Sequence, residues 1–280
     1  MINRSSTYKE QSYINQGICY VVCWKKFLPK DVMEGLYRYL SQRVVIKSIP
    51  YNSPDYAYQA VVKEHTILSQ MSHPRIIQYY GYFQTATSWN IVLEFAERGN
   101  LADFLERRRQ AKCHLNQHTI MAKFGDIIDG LMYLHLRNVI HRDLKPANVL
   151  ICMDNRLKLA DFGISKIMHE SDLNRTIVGT PLYMAPEVAR GKNYDYKSDV
   201  WALGLIFYEL CMLQHPFIEH FGAGRRQKLR TPLIDCEQHG YLSTMQTLCD
   251  MMIKVDVKKR GTLENILKQT YTLQLMNHVD

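Results

Sequence analysis

The sequence has no apolar run approaching the ~18 residues that a membrane-spanning helix needs. Its opening, Met1-Ile2-Asn3-Arg4-Ser5-Ser6, lacks the apolar core of a secretory leader. Both absences lead to the expectation of a cytoplasmic or nuclear chain with no membrane partner. Paired cysteines are missing as well. The seven cysteines, at 19, 23, 113, 152, 211, 236 and 249, are odd in number, scattered and without C-x-x-C spacing, so reduced thiols are expected rather than a disulfide frame. Cys19 and Cys23 stand four apart, but no second Cys/His cluster would complete a zinc site. Repeats and low-complexity linkers are absent, so nothing marks off a further domain. Long basic tracts are lacking too. The net charge of +8 and pI near 9.0 rest on short, dispersed clusters such as Arg107-Arg108-Arg109, Arg225-Arg226 and Lys258-Lys259-Arg260. These read as solvated faces or docking patches for acidic substrate, and no nucleic-acid partner is expected.

What is present is ordinary globular material, 46% hydrophobic and 22% charged over 280 residues, enough for one large domain or two lobes. The informative stretch is His141-Arg142-Asp143-Leu144-Lys145-Pro146-Ala147-Asn148, followed by Asp161-Phe162-Gly163. Phosphoryl transfer needs a carboxylate to orient and deprotonate the incoming hydroxyl, hard oxygen ligands for magnesium, and a cation beside the transferred group. Asp143 is the candidate base, Lys145 the cation, and Asn148 with Asp161 the oxygen ligands. Val149-Leu150-Ile151 and Leu157-Lys158-Leu159-Ala160 read as strands joined at Met153-Asp154-Asn155-Arg156, a hairpin that returns Asp161 to Asn148.

H-R-D-x-x-x-x-N followed by D-F-G resembles the catalytic and metal-binding loops of the eukaryotic protein kinases. The resemblance runs from about residue 13 to about 270. It implies an α+β, two-lobed fold: a small β-rich N-terminal lobe over 1–96 with one regulatory helix, and a larger, mainly helical C-terminal lobe over 97–280. It further implies ATP and magnesium as cofactors.

Laid on the phosphate-covering pattern G-x-G-x-x-G-x-V, residues 11–24 match at Gly17 and Val22, with Asn15 and Tyr20 standing where glycines are expected. A bulky residue there costs ~1–2 kcal/mol if φ must be positive. That would weaken nucleotide binding without abolishing it. The connection between Val22 and Val44 is longer than is usual in the family, which costs little, since doubling a loop adds only ~0.6 kcal/mol of closure entropy.

Val44-Val45-Ile46-Lys47 resembles the strand whose lysine reaches the phosphates, and Glu64, on a helical stripe over 58–71, is its expected ion-pair partner. Ile76 to Tyr80 and Asn90 to Phe95 read as the next strands. The resemblance implies adenine hydrogen bonds around Glu94 to Ala96 and a pocket limited by Leu93.

Asn100 is a good N-cap for a helix over Leu101 to Arg109, and Ile120, Phe124, Ile127, Ile128, Leu131 and Leu134 form the core stripe of a longer helix. His141 reads as a packed structural residue. Ser198 to Gly204 opens a buried apolar helix on which Asp199 would hydrogen-bond the catalytic loop.

The activation segment, 161 to 187, ends Gly179-Thr180-Pro181-Leu182-Tyr183-Met184-Ala185-Pro186-Glu187. By resemblance Thr176 is the expected phosphate acceptor, paired with Arg142 and phosphorylated by an upstream kinase or by the chain itself. Thr180 would contact Asp143 and Lys145 around the hydroxyl substrate, and Glu187 would pair with Arg260. Lys145 and Thr180 resemble the serine/threonine type. Phe162 to Lys166 and Asn193 to Gly204 are similar to the never-in-mitosis group, although Lys-Pro-Ala-Asn departs from that group's usual loop.

The expected function is therefore transfer of the γ-phosphate of ATP to serine and threonine hydroxyls of protein substrates. The rival is a pseudokinase, a nucleotide-binding or scaffolding module, argued from the altered phosphate loop. A small-molecule kinase would not need the Gly-Thr-Pro to Ala-Pro-Glu platform.

Overall fold

The computed structural model describes residues 11–15, 18–24, 43–50, 65–161, 182–192, 194–217 and 232–276. The chain divides into two compact units, 1–97 and 98–280.

The first unit is a five-stranded antiparallel sheet: β1 (Gln11–Asn15), β2 (Ile18–Trp24), β3 (Arg43–Pro50), β4 (Tyr79–Gln84) and β5 (Ser88–Glu94), in the order β1-β2-β3-β5-β4. β-branched and aromatic residues dominate these runs, as a pleated, half-buried surface requires. Val44 and Val92 are fully buried at the sheet centre, with Ile46, Tyr80 and Phe83 packed on them. Asn15 pairs with Ile18 between β1 and β2, and Tyr20 pairs with Tyr13 on one side and Lys47 on the other. Tyr20 is thus extended backbone in mid-ladder, so the positive-φ penalty expected from the missing glycine does not arise there.

Helical backbone at 65–68 precedes β4, burying Leu68. The strand expected from Ile76 begins instead at Tyr79, because Ile76 and Ile77 enter the core from the preceding connection.

In the second unit α1 (Leu101–Gln110) and α2 (Gln117–His135) precede a two-stranded ribbon of β6 (Val149–Ile151) and β7 (Leu157–Leu159). There follow α3 (Tyr196–Met212), α4 (Cys236–His239), α5 (Thr244–Met252) and α6 (Leu263–Met276). Asn100 and Asn116 cap α1 and α2 through their side-chain oxygens, each meeting a backbone N–H three residues on.

α3 is apolar on nearly every face and is the unit's axial element, with Phe207 tilted against Phe124 of α2 at 4.5 Å between ring centroids. A capping box, Asp195 with Ser198, fixes where it starts. Gly204 lies where α5 passes closest. A Cβ there would stand 2.7 Å from Met252 Cβ and 2.9 Å from Ile253 Cγ1. Alanine normally gains up to ~1 kcal/mol over glycine inside a helix, but a Cβ cannot swing aside as a side-chain tip can, and overpacking costs roughly 1–3 kcal/mol. Gly204→Ala should therefore lower the melting temperature, measured by calorimetry, by a few degrees. A rise would mean that α5 yields.

Candidate active site

The loop from 141 to 148 is held from below by Asp199, buried in the first turn of α3, where the helix dipole favours a carboxylate. Asp199 Oδ2 accepts the backbone N–H of His141 at 2.8 Å and His135 Nε2–H at 2.8 Å, while Oδ1 accepts the N–H of Arg142 at 3.1 Å. These bonds hold Arg142 in a left-handed conformation, φ 65°, which a non-glycine residue adopts only when its surroundings require it. The Arg142 side chain is exposed. His141 is wholly buried, and that burial pulls its imidazole below its ordinary pKa despite Asp199, Asp143 and Asp161 nearby, so it packs as a neutral ring.

Pro146 makes the next step. It drives Lys145 into extended backbone, φ −161°, and opens the 3-10 turn Pro146–Asn148. The turn carries Asn148 back beneath Asp143. Asn148 Nδ2 donates to Asp143 O at 2.8 Å and to Asp143 Oδ2 at 3.0 Å, and Lys145 Nζ meets the same Oδ2 at 2.9 Å. Both partners of Asn148 are acceptors, which identifies the donor as nitrogen and turns the amide oxygen away from Asp143. Asp143 and Lys145 keep about a quarter of their side-chain surface exposed, so the pair is reachable from solvent.

The β6–β7 ribbon then returns the chain. Ala160 N–H bonds Asn148 O at 2.9 Å, which sets Asp161, with φ 51°, beside Asn148. An amide oxygen and a carboxylate together form a hard-oxygen pair of the sort that holds magnesium, whose remaining ligands are phosphate oxygens and water. Among the described residues no group of three or more His, Cys, Asp or Glu could hold a metal unaided.

The structure brings Glu187 and Arg260 together. Arg260 Nη1 and Nη2 bond Glu187 at 2.7 and 2.9 Å, Nη1 also meets Lys197 O, Nε meets Lys254 O, and the guanidinium lies 5.1 Å from the Trp201 ring. Burial pushes the Glu187 carboxyl up, but Arg260 and Ser198 outweigh it and hold the carboxyl below its ordinary pKa.

In the first unit Lys47 is buried on β3, opposite Ile91. Leu93 and Ala96 are buried, and Glu94 carries its carboxylate to the N–H of Gln78 at 3.0 Å. Val22 lies in β2, opposite Gln11 and Val45. Gly17, Glu64, Thr176 and Thr180 lie outside the described residues, as does most of the long connection before Val44.

Sequence reasoning missed three supports. His135, the last residue of α2, bonds Asp199 and carries no signal in the helix's apolar stripe. Asp126 on α2 takes Arg156 Nε and Nη2 and the N–H of Leu157, tying β7 to α2. Beneath the segment that ends at Glu187, the Tyr183 hydroxyl donates to Glu209, and His215 Nε2–H donates to Leu182 O at 3.2 Å. Phe217 N–H donates to His215 Nδ1, which fixes that tautomer, and burial lowers the imidazole to about 4.

Burial raises the Glu209 carboxyl to about 7, with the Tyr183 hydroxyl and Arg109 opposing. A raised carboxyl stabilises the fold fully below its ordinary pKa near 4.5 and loses that contribution as pH rises through 7. Glu209→Gln should therefore gain stability relative to the parent between those limits, by roughly 3 kcal/mol at most. Chemical denaturation of both proteins at pH 5 and pH 8 checks it, and a constant difference would contradict it.

The protein kinase domain model matches residues 31–272. The chain is 32% identical over 245 residues to human serine/threonine-protein kinase Nek5, covering 84% of this chain and 34% of the relative. It is 34% identical over 229 residues to zebrafish serine/threonine-protein kinase Nek8, covering 81% and 33%, and 31% identical over 242 residues to human serine/threonine-protein kinase Nek2, covering 83% and 54%. The chain thus spans about a third to a half of the length of these curated relatives. A family model covering most of the chain and a hydrogen-bonded Asp143-Lys145-Asn148 constellation agree: this chain belongs to the protein kinase domain family.

Proposed function

We propose that this chain transfers the γ-phosphate of ATP to serine or threonine hydroxyls of protein substrates. The observation that carries the reading is one carboxylate, Asp143, oriented by the Lys145 ammonium and the Asn148 amide. The hydroxyl gives its proton to Asp143 as its oxygen bonds to phosphorus, and the bond to the leaving ADP oxygen breaks. Lys145, resting on Asp143, is placed to follow the negative charge onto the transferred group. Asn148 Oδ1 and Asp161 would hold magnesium, which when bound neutralises phosphate oxygens. Lys47 would take the α- and β-phosphates, with Glu64 as its expected ion-pair partner. Gly17 and Val22 would cover them, and the backbone from Glu94 to Ala96, with Leu93 behind, would receive the adenine. The two serine/threonine kinase relatives from human support the substrate class.

Activation by phosphate on Thr176, added by an upstream kinase or by autophosphorylation, fits the exposed Arg142 beside the base. The proposed site of action is the cytoplasm or nucleus. Transfer of labelled γ-phosphate to a generic basic protein and to the chain itself tests the reading. Transfer onto serine or threonine should fall at least a hundredfold in Asp161→Ala. No transfer by either protein, with Thr176 phosphorylated, would replace the enzyme by a nucleotide-binding scaffold.

A further inference from the structure

Behind the catalytic loop the second unit contains a cavity of about 430 Å³, within the size range of small-molecule sites. The C-terminal end of α2 and the first turns of α3 and α6 line it, leaving it open to solvent. Met132, Val200 and Leu263 supply apolar wall, and Leu136, 73% exposed, stands at the mouth. The Tyr196 ring forms another side. It lies 4.8 Å from the His135 ring, and its hydroxyl donates to Asn138 Oδ1 at 3.2 Å.

The charged lining is committed elsewhere. Lys197 Nζ donates to Val257 O, Asp195 caps α3, and His135 is bound to Asp199, which leaves Glu264 exposed to water. A cationic ligand would find only the water-exposed Glu264, a pairing worth about 0–1 kcal/mol, and an anionic one would meet Glu264 and Asp195 alongside the Lys197 ammonium, so charge adds little here. A flat, uncharged aromatic molecule would lose little and gain the apolar wall and the Tyr196 face. We propose that this cavity is a regulatory site for a small uncharged aromatic ligand, acting on the catalytic loop through His135 and Asp199. The route is short. His135 lines the cavity and bonds Asp199 Oδ2, and the same carboxylate holds the N–H groups of His141 and Arg142. A ligand that shifts the Tyr196–His135 pair thereby shifts the support of the base.

The test uses indole as probe, with indole-3-acetate and tryptamine as charged counterparts. Binding to the full chain is followed by ligand-observed NMR, and exchange of the His141 and Arg142 amides by mass spectrometry. Neither readout requires phosphoryl transfer, so the result stands apart from the proposed activity. Indole should bind saturably, at least fivefold more tightly than either counterpart. Tyr196→Ala should weaken binding about tenfold through the lost aromatic face, and Leu136→Asp, which alters only an exposed side chain, should also weaken it. Amide exchange at 141 and 142 should change on binding by at least threefold. Absence of saturable binding, equal binding of the charged probes, or indifference to both substitutions overturns the site. Binding that leaves the two amides unchanged overturns the regulation.

Discussion

Asp143→Asn is expected to reduce phosphoryl transfer by about 10²–10⁴-fold, the range over which a positioned base contributes. The network explains why a near-isosteric change should be so costly. Lys145 and Asn148 both present hydrogens to the Oδ2 corner, so an amide at 143 would place its oxygen there and its NH₂ at the other corner. A donor group cannot accept the proton of the incoming hydroxyl. Folding should be nearly unaffected, since the same hydrogen bonds can be made, and the melting temperature is the control. The loss should lie in kcat with KM for ATP little changed, because the substitution removes an interaction made as the reaction proceeds. Retention of activity within tenfold would mean that Asp143 is not the base.

The second large effect is on stability. Arg260→Leu strands Glu187 in the interior without its guanidinium and frees the carbonyls of Lys197 and Lys254. Removing one partner of a buried pair costs about 3–5 kcal/mol, or roughly 10 °C in melting temperature for a unit of this size. The pH dependence sharpens the test. In the parent, Glu187 is held below its ordinary pKa, so its contribution is present above about pH 4.5 and is lost as pH falls further. The gap between parent and variant should therefore be widest at neutral pH and narrow below pH 4.5. Adding Glu187→Leu should recover much of the loss, since two apolar side chains can replace a buried ion pair at little cost. No recovery would show that the carbonyl contacts of Arg260, rather than its pairing with Glu187, hold the segment.

Legibility followed how local the cause was. The octet from His141 to Asn148 could be read because its chemistry is packed into one turn: Pro146 sets the backbone of Lys145, and the 3-10 turn returns Asn148 to Asp143. The helix from Leu101 was legible from Asn100, since a cap acts on its own first turn, and the next one from its apolar stripe, whereas the caps at Asn116 and Asp195 emerged only in the structure. The ribbon's return to Asn148 was also legible, given two short apolar runs and a turn. His135, Asp126 and Glu209 were not, because each bonds a residue 26 to 64 positions away and stands in its helix like any other polar side chain. Tyr20 shows the reverse failure. A pattern position suggested a strained backbone, and the ladder on either side makes it ordinary strand.

Glu209 and His215 also act jointly on the heat of unfolding. In the unfolded chain between about pH 4.5 and 6.5 one is an anion and the other a cation, whereas in the fold both are neutral. Folding in that interval amounts to handing a proton from an imidazolium to a carboxylate, with no net exchange with the buffer from this pair. Calorimetric enthalpies would then carry the intrinsic heat of that internal transfer but no buffer-ionisation heat from the pair, and a dependence on the buffer chosen would emerge only when one of the two residues is replaced.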